Sequence, residues 1–272
     1  MNIVNYFTSI HDMHKYLTEN DTQPFFEGRV QYGSHLEGSE YRGTENYEQA
    51  DNFLLYGDKE SMKKVEEMGL KETRENIARY ANRRQVYSSV VGFAPNVANY
   101  VAGSPCSMIA SRQVRQKQKT IKVCYINNAS GYESTDNIFK AAVNMFCAIM
   151  ILEAQGISVD LTIGICAKQN RGKDKLGMFL KIKRAGQKLD ILRMIYPCVN
   201  PSFLRRHYFR YTEVTKGVIK SFVSNYGYIV EDKNDIRDMA ASCNIKPDVI
   251  IRYYDSVYKN VDDVLKMIRD EK

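Results

Sequence analysis

Asn127-Asn128-Ala129-Ser130-Gly131-Tyr132 is a cluster of short polar side chains placed directly after the β-forming run 121–126. The carboxyl end of a strand is where open α/β sheets hold their ligands. Amides and hydroxyls in such a loop can hydrogen-bond a partner, but a hard cation prefers carboxylate oxygen, which the loop does not offer. Ser130 follows the strand as a nucleophile would, yet Asn128 stands where a nucleophile elbow carries glycine. His207, beside Arg205 and Arg206, is of a type that does acid–base chemistry; at a helical position it reads as a partly exposed surface residue. His11 and His14 share a helix face as a ligand pair would, with no carboxylate partner evident nearby. Lys173-Asp174-Lys175 beside Gly172 lacks the glycine spacing of a phosphate loop and reads as a hairpin turn. The residues therefore predict no catalytic site, no metal site and no cofactor.

The elements that must position this loop are the most legible part of the chain. Residues 121–126 predict a strand, 135–155 a long amphipathic helix stopped by Gly156, 157–165 a second strand, and 176–182 a third beyond a charged turn. Further on, 189–196 predicts a helix ended by Pro197, and 202–212 another with Pro201 near its start and Arg205, Arg206 and Arg210 partly on its outer face. A strand at 226–230, a helix at 233–243, a strand at 248–252 and a helix at 261–269 capped by Asn260 complete the list. Before residue 107 the pattern is helical and irregular: a short helix after Thr8 or Ser9, a loop over 23–43, a helix over 45–56 capped by Thr44, then helices over 61–68 and 72–86. Residues 90–108 read as a packed, irregular segment, and the basic stretch 111–120 as the best boundary between an N-terminal region, 1–110, and an α/β domain, 119–272.

Composition limits the function classes. The chain has 272 residues, 44% hydrophobic and 26% charged, with 19 Tyr and no Trp, which fits a soluble globular protein with a substantial core. Six cysteines stand singly, without the close pairs that zinc sites draw on; buried free thiols in a reducing cytosol are expected. No secretory signal is read at the start, and the apolar run 138–152 reads as a core helix, with no membrane association. Residues 1–119 are balanced in charge, so the net +7 falls on the remainder, concentrated in 168–193. Such an excess can meet phosphates or an acidic protein surface; a solvated hairpin tip with lysines as edge protection is the favoured explanation.

The strand–helix–strand order followed by an antiparallel hairpin strand resembles the von Willebrand factor A domain from about residue 119 to the C terminus. The resemblance implies a Rossmann-like fold and, in the family, a cation held by an Asp-x-Ser-x-Ser motif after the first strand. Here that loop begins Asn127-Asn128, so the anionic ligand is lost, and the resemblance implies no metal. The chain as a whole resembles an uncharacterised family of tailed-bacteriophage proteins, through Gly43-Thr44-x-x-Tyr47-x-x-Ala50 with Tyr56-Gly57, and Val97-x-x-Tyr100-Val101-Ala102-Gly103-x-Pro105-Cys106-x-Met108. Ala185-Gly186-x-x-Leu189-Asp190 and Asn200-Pro201-Ser202-Phe203-Leu204-Arg205-Arg206-x-x-Phe209 belong to the same resemblance.

The expected fold is α/β, a von Willebrand A or Rossmann-like mostly parallel sheet with an antiparallel edge hairpin and a mainly helical N-terminal segment. The expected function is that of a non-enzymatic phage protein, a protein-binding or assembly module of the virion or of host takeover, in the host bacterial cytoplasm or the particle. Its binding residues are expected among Asn127, Asn128, Ser130, Tyr132, Arg205 and Arg206, and its partners among phage or host proteins and further copies of the chain. The alternative is nucleic-acid binding by the basic hairpin 168–184 through Lys168, Arg171, Lys173, Lys175, Lys181, Lys183 and Arg184, aided by the basic residues of 112–122.

Overall fold

The computed structural model describes residues 2–20, 33–38, 41–80, 84–113, 119–129, 133–169, 174–217, 222, 226–257 and 259–271. Its strands are β1 (Asn2–Phe7), β2 (Arg84–Ser89), β3 (Ala94–Pro95), β4 (Met108–Gln113), β5 (Lys119–Ile126), β6 (Ile157–Lys168), β7 (Lys175–Lys183), β8 (Tyr228–Ile229) and β9 (Val249–Arg252). The α-helices are α1 (Ile10–Glu19), α2 (Tyr47–Tyr56), α3 (Lys59–Val65), α4 (Lys71–Tyr80), α5 (Val97–Val101), α6 (Thr135–Ala154), α7 (Ile191–Val199), α8 (Phe209–Val214), α9 (Lys233–Ser242), α10 (Tyr253–Val257) and α11 (Val261–Asp270).

The fold is α/β. Six strands form one mostly parallel sheet in the order β1-β7-β6-β5-β9, with β8 pairing the far end of β6. β5 runs parallel to both β6 and β9, and β7 returns antiparallel to β6. The hairpin strand β7 is not the edge: β1 covers it in parallel register from Asn2↔Lys175 to Phe7↔Leu180. The short run Asn2-Ile3-Val4-Asn5-Tyr6-Phe7 is rich in strand-forming Ile, Val, Tyr and Phe, and pairing with β7 makes it a strand. The first residues of the chain thus belong to the same sheet as the α/β region.

Alternation along β5 explains why its sequence is apolar almost throughout. Ile121, Val123 and Tyr125 enter the large core on one face of the sheet, whereas Cys124 and Ile126 enter a smaller core on the other, under Ile236, Met239 and Ala240 of α9. A strand buried on both faces needs apolar side chains at odd and even positions alike. At Gly164 of β6 the sheet leaves no room for a side chain, because a Cβ there would lie 2.7 Å from both Ile126 Cδ1 and Phe179 Cε1.

α6 is the central helix of the large core. Ser134 caps it by accepting from the Asn137 N–H, and residues around its whole circumference are buried. It is 20 residues long and apolar enough to cross a bilayer by length and composition, but it is mostly enclosed by the rest of the fold. Its one interior amide, Asn144, donates to the carbonyls of Ser256 (3.0 Å) and Lys259 (2.7 Å), which ties the C-terminal helices to it. All six cysteines are free. Burial pushes the Cys124 thiol up to about 12, so it stays protonated and unreactive.

Several expected elements differ, each for a local reason. The cap of α2 is Asn46, whose side chain accepts from the Gln49 N–H; Thr44 is taken up elsewhere. α3 starts under the cap Asp58, ahead of Ser61. Pro197 lies inside α7, which runs on to Val199. The predicted helix over 72–86 stops at Tyr80, and 84–89 is a strand because Val86 and Tyr87 pair with the segment 108–113. Residues 90–108 are not packed: none of them is buried, and β2, β3 and β4 with α5 form a separate three-stranded sheet.

Candidate functional site

Three regions bear on function: the rim loop after β5, a buried polar junction around the 203–208 turn, and the small sheet of residues 84–113.

The loop after β5 lies at the carboxyl rim of the sheet, as the strand pattern predicts, but its amides point inward. Asn127 donates its backbone N–H to Gly164 O (3.0 Å) and its side chain to Pro197 O (3.0 Å). Asn128 imitates a further strand residue: its carboxamide donates to Cys166 O (2.5 Å) and accepts from Cys166 N–H (3.2 Å). Both side chains are buried. Ser130 and Tyr132 lie outside the described residues. Beside Asn128, a cleft lined by Ile126, Val230, Arg252 and Tyr253 offers only about 10 Å³, room for about one water. Its one guanidinium is occupied, since Arg252 pairs with Asp255 through Nε (3.0 Å) and Nη2 (2.8 Å) and donates to Glu231 O. Among the described residues no three His, Cys, Asp or Glu side chains converge as metal ligands.

The helix predicted over 202–212 is a π-helical turn, Phe203–Tyr208, running into α8. Its arginines are not on an outer face: Arg205, Arg206 and Arg210 are buried. Arg206 donates five hydrogen bonds to neutral oxygens: Nε to Thr44 Oγ1, Nη1 to Ser34 O and Leu36 O, and Nη2 to Thr44 O and Gly38 O. That planar fork holds the chain between Ser34 and Thr44 against α8. Burial, followed by the charge of Arg42, lowers the Arg206 pKa from its ordinary value. Arg205 lies over the Tyr41 ring at 4.1 Å and donates to Tyr41 O. Glu213 holds the same loop from the other side, accepting from Ser34 N–H (3.1 Å), Ser34 O–H and Tyr226 O–H (2.6 Å), and burial raises its pKa.

His207 is fully buried rather than partly exposed. Its Nε2 lies 2.9 Å from Asp51 Oδ1 and its Nδ1 2.8 Å from the Tyr196 hydroxyl, while His14 Nε2 stands 3.6 Å from Asp51 Oδ2. A carboxylate only accepts, so Nε2 carries the proton and Nδ1 accepts from Tyr196. The chain of atoms resembles a catalytic relay in outline, but Tyr196 is buried to 0% exposure, out of reach of a substrate. Burial lowers the His207 pKa despite the pull of Asp51 in the other direction. A group depressed in the folded state contributes stability above its unfolded pKa of about 6.5, and that stability is lost as pH falls towards the folded value. Unfolding free energy is therefore expected to fall faster between pH 7 and pH 5 in the wild-type protein than in His207→Gln, with a difference in slope of up to about 1.4 kcal/mol per pH unit. Equal slopes in urea unfolding series would contradict the depressed pKa. Comparing the two proteins cancels the opposite trend from Glu213.

Three lysines of the basic hairpin are neutralised from within. Lys175 pairs with Asp235 at 2.6 Å, Lys181 pairs with Asp160, and the buried Lys183 pairs with Glu153 and donates to Val159 O at 3.0 Å. Lys168 and Arg184 are exposed; Arg171 and Lys173 lie outside the described residues.

The remaining region was not anticipated from the sequence. From β2 to β4 no described side chain is buried, yet Val86 (61%), Val91 (78%), Phe93 (71%), Val97 (67%), Tyr100 (74%) and Val101 (79%) are exposed. The unit holds its shape by hydrogen bonds in place of a core. Phe93 N–H donates to Ile109 O, Asn96 N–H to Ser107 O, and the Asn99 amide to Ser88 Oγ (3.0 Å) and Cys106 O (3.0 Å). A legible signal did exist: from Gln85 to Ser111 the chain has no Asp, Glu, Lys, Arg or His, in a protein that is 26% charged overall.

Fold and site together define an α/β protein with an occupied rim and an apolar arm. The chain belongs to the family described as a domain of unknown function (DUF7192), whose model matches residues 1–272. No curated protein and no solved structure matches it.

Proposed function

We propose that this protein is a non-enzymatic protein-binding or assembly module of a bacteriophage, acting in the host cytoplasm or in the particle, and that residues 84–113 are its contact element. The observation carrying this reading is the arm itself. Exposed apolar patches of this kind, when contiguous, mark interaction surfaces, and a sheet without a buried residue gains its stability only when something covers it. The polar residues first expected to bind contribute otherwise: Asn127, Asn128 and Arg206 are turned inward and preserve the body that carries the arm. The phage assignment rests on the motif resemblance that includes Val97, Tyr100 and Val101, residues of the arm.

The nucleic-acid alternative draws on Lys168, Arg184 and residues outside the described set. Pairing of Lys175, Lys181 and Lys183 with carboxylates reduces the field available to phosphates.

A photo-crosslinking amino acid at Tyr100, introduced in the cells where the protein is made, is expected to capture a polypeptide. The same group at the exposed Glu48 of α2 serves as control. If Tyr100 captures nothing above that control, the arm is not a protein contact and the reading fails.

A further inference from the structure

We infer that the partner of the arm is a second copy of this chain, with β2 of one protomer pairing against β2 of the other across a two-fold axis. This rests on reading the arm as a protein contact and adds the identity of what it contacts.

Three observations point to self-association. The first is the asymmetry of the two sheet edges. In the order β2-β4-β3, one edge is β3, two residues long and ending in Pro95, a residue without an N–H to offer a further strand. The other edge is β2, six residues long, without proline between Arg84 and Ser89. Monomeric proteins block long edges with lysine, proline or bulges; here, among the described residues, one edge is blocked and the other left open, which is the requirement for a closed pair rather than a growing fibre.

The second is charge. A surface made from the uncharged stretch between Arg84 and Arg112 is matched best by another surface without charge, because a charged partner would lose hydration with nothing to pair against. A second arm satisfies this. Antiparallel pairing of two β2 strands also sets position 84 of each opposite the uncharged far end of the other.

The third is area. The exposed fraction of Val86, Val90, Val91, Phe93, Val97, Tyr100 and Val101 lies between 61% and 79%. Together that is on the order of 1,000 Å² of surface, against about 800 Å² per partner in a standard stable interface. Gly92 lets this apolar turn fold flat, since a Cβ there would collide with the Ile109 carbonyl across the sheet.

Sedimentation of the purified full chain tests the inference. The wild-type protein is expected to run as a dimer of the 31.3 kDa chain at micromolar concentration. The double substitution Val91→Glu with Phe93→Glu is expected to abolish the dimer and leave the melting of the body unchanged, since neither residue is buried. With Cys106 and Cys243 replaced by Ser, single cysteines placed in turn at Val86, Tyr87, Ser88 and Ser89 are expected to give an interchain disulfide at the position nearest the axis. A monomer at all concentrations up to about 100 μM, a dimer that survives the two glutamates, or binding of the wild-type arm to phosphatidylglycerol vesicles in place of self-association would each overturn the inference. A Tyr100 crosslink to a different polypeptide would overturn it too, while sustaining the broader reading of the arm as a protein contact.

Discussion

Arg206→Met is expected to cost the protein about 3–5 kcal/mol, the scale for removing one member of a buried charged hydrogen-bond network. Methionine fills much of the volume but leaves the carbonyls of Ser34, Leu36, Gly38 and Thr44 without their Arg206 donor, and the Thr44 hydroxyl with Ser202 as its remaining donor. Each buried acceptor left unpaired costs on the order of 1–3 kcal/mol, reduced where the loop relaxes towards water. Arg206→Lys restores the charge with three donors in place of a five-donor fork, so it is expected to recover only part of the loss. Urea unfolding measures the totals. Amide exchange locates them: the loss of protection is expected to begin between Ser34 and Thr44 and in α8. A change below about 1 kcal/mol in the methionine variant would show that the guanidinium does not hold this loop.

Asn128→Asp addresses the rim directly, because it puts a carboxylate into the loop at the carboxyl end of β5. The substitution is nearly isosteric, yet the group that donates to Cys166 O becomes an acceptor facing an acceptor in a buried site. A destabilisation of about 2–4 kcal/mol is expected at pH 7. The introduced carboxyl would have its folded pKa raised above the ordinary value of about 3.9. The penalty is therefore largest above that raised pKa and fades as pH falls through it, when the protonated acid can donate to Cys166 O again. Unfolding curves at pH 7 and pH 4.5 test this, and added magnesium or calcium is expected to leave them unchanged. If a divalent cation restored wild-type stability, the loop would be a metal cradle short of one ligand, and its role as a strand mimic would be wrong.

These effects explain which parts of the molecule were legible in the sequence. The segment from β5 through β7 was, because a strand buried on both faces, a long apolar helix and a glycine stop each leave a local pattern. The same holds for the cap Asn260 and for Ser9, one of the two caps expected for the first helix, whose side chains act on backbone within three residues. β1 was missed: Ile3, Val4, Tyr6 and Phe7 are strand formers, but the strand that pairs with them lies 173 residues away at Asn2↔Lys175. Arg205, Arg206 and His207 looked like an outer helix face for a related reason: charge type predicts exposure until a distant loop supplies acceptors. Thr44 was taken for a helix cap, and only the folded chain shows Arg206 using its oxygens.

The arm was legible in principle and misread. A long uncharged stretch rich in Val, Tyr and Phe has the composition of a buried segment, and composition alone does not state where the covering surface comes from. Sequence by itself determined the run of elements from β5 through β7, the buried free thiols of Cys124, Cys147 and Cys166 and the place of the Asn127–Asn128 loop at the sheet's rim, since those follow from short-range pattern and burial. Only tertiary structure decided that the loop's amides are consumed in strand mimicry, that the arginines are internal struts, and that the apolar segment stands outside the core. Each of those depends on partners far along the chain, and no local pattern encodes a partner's position.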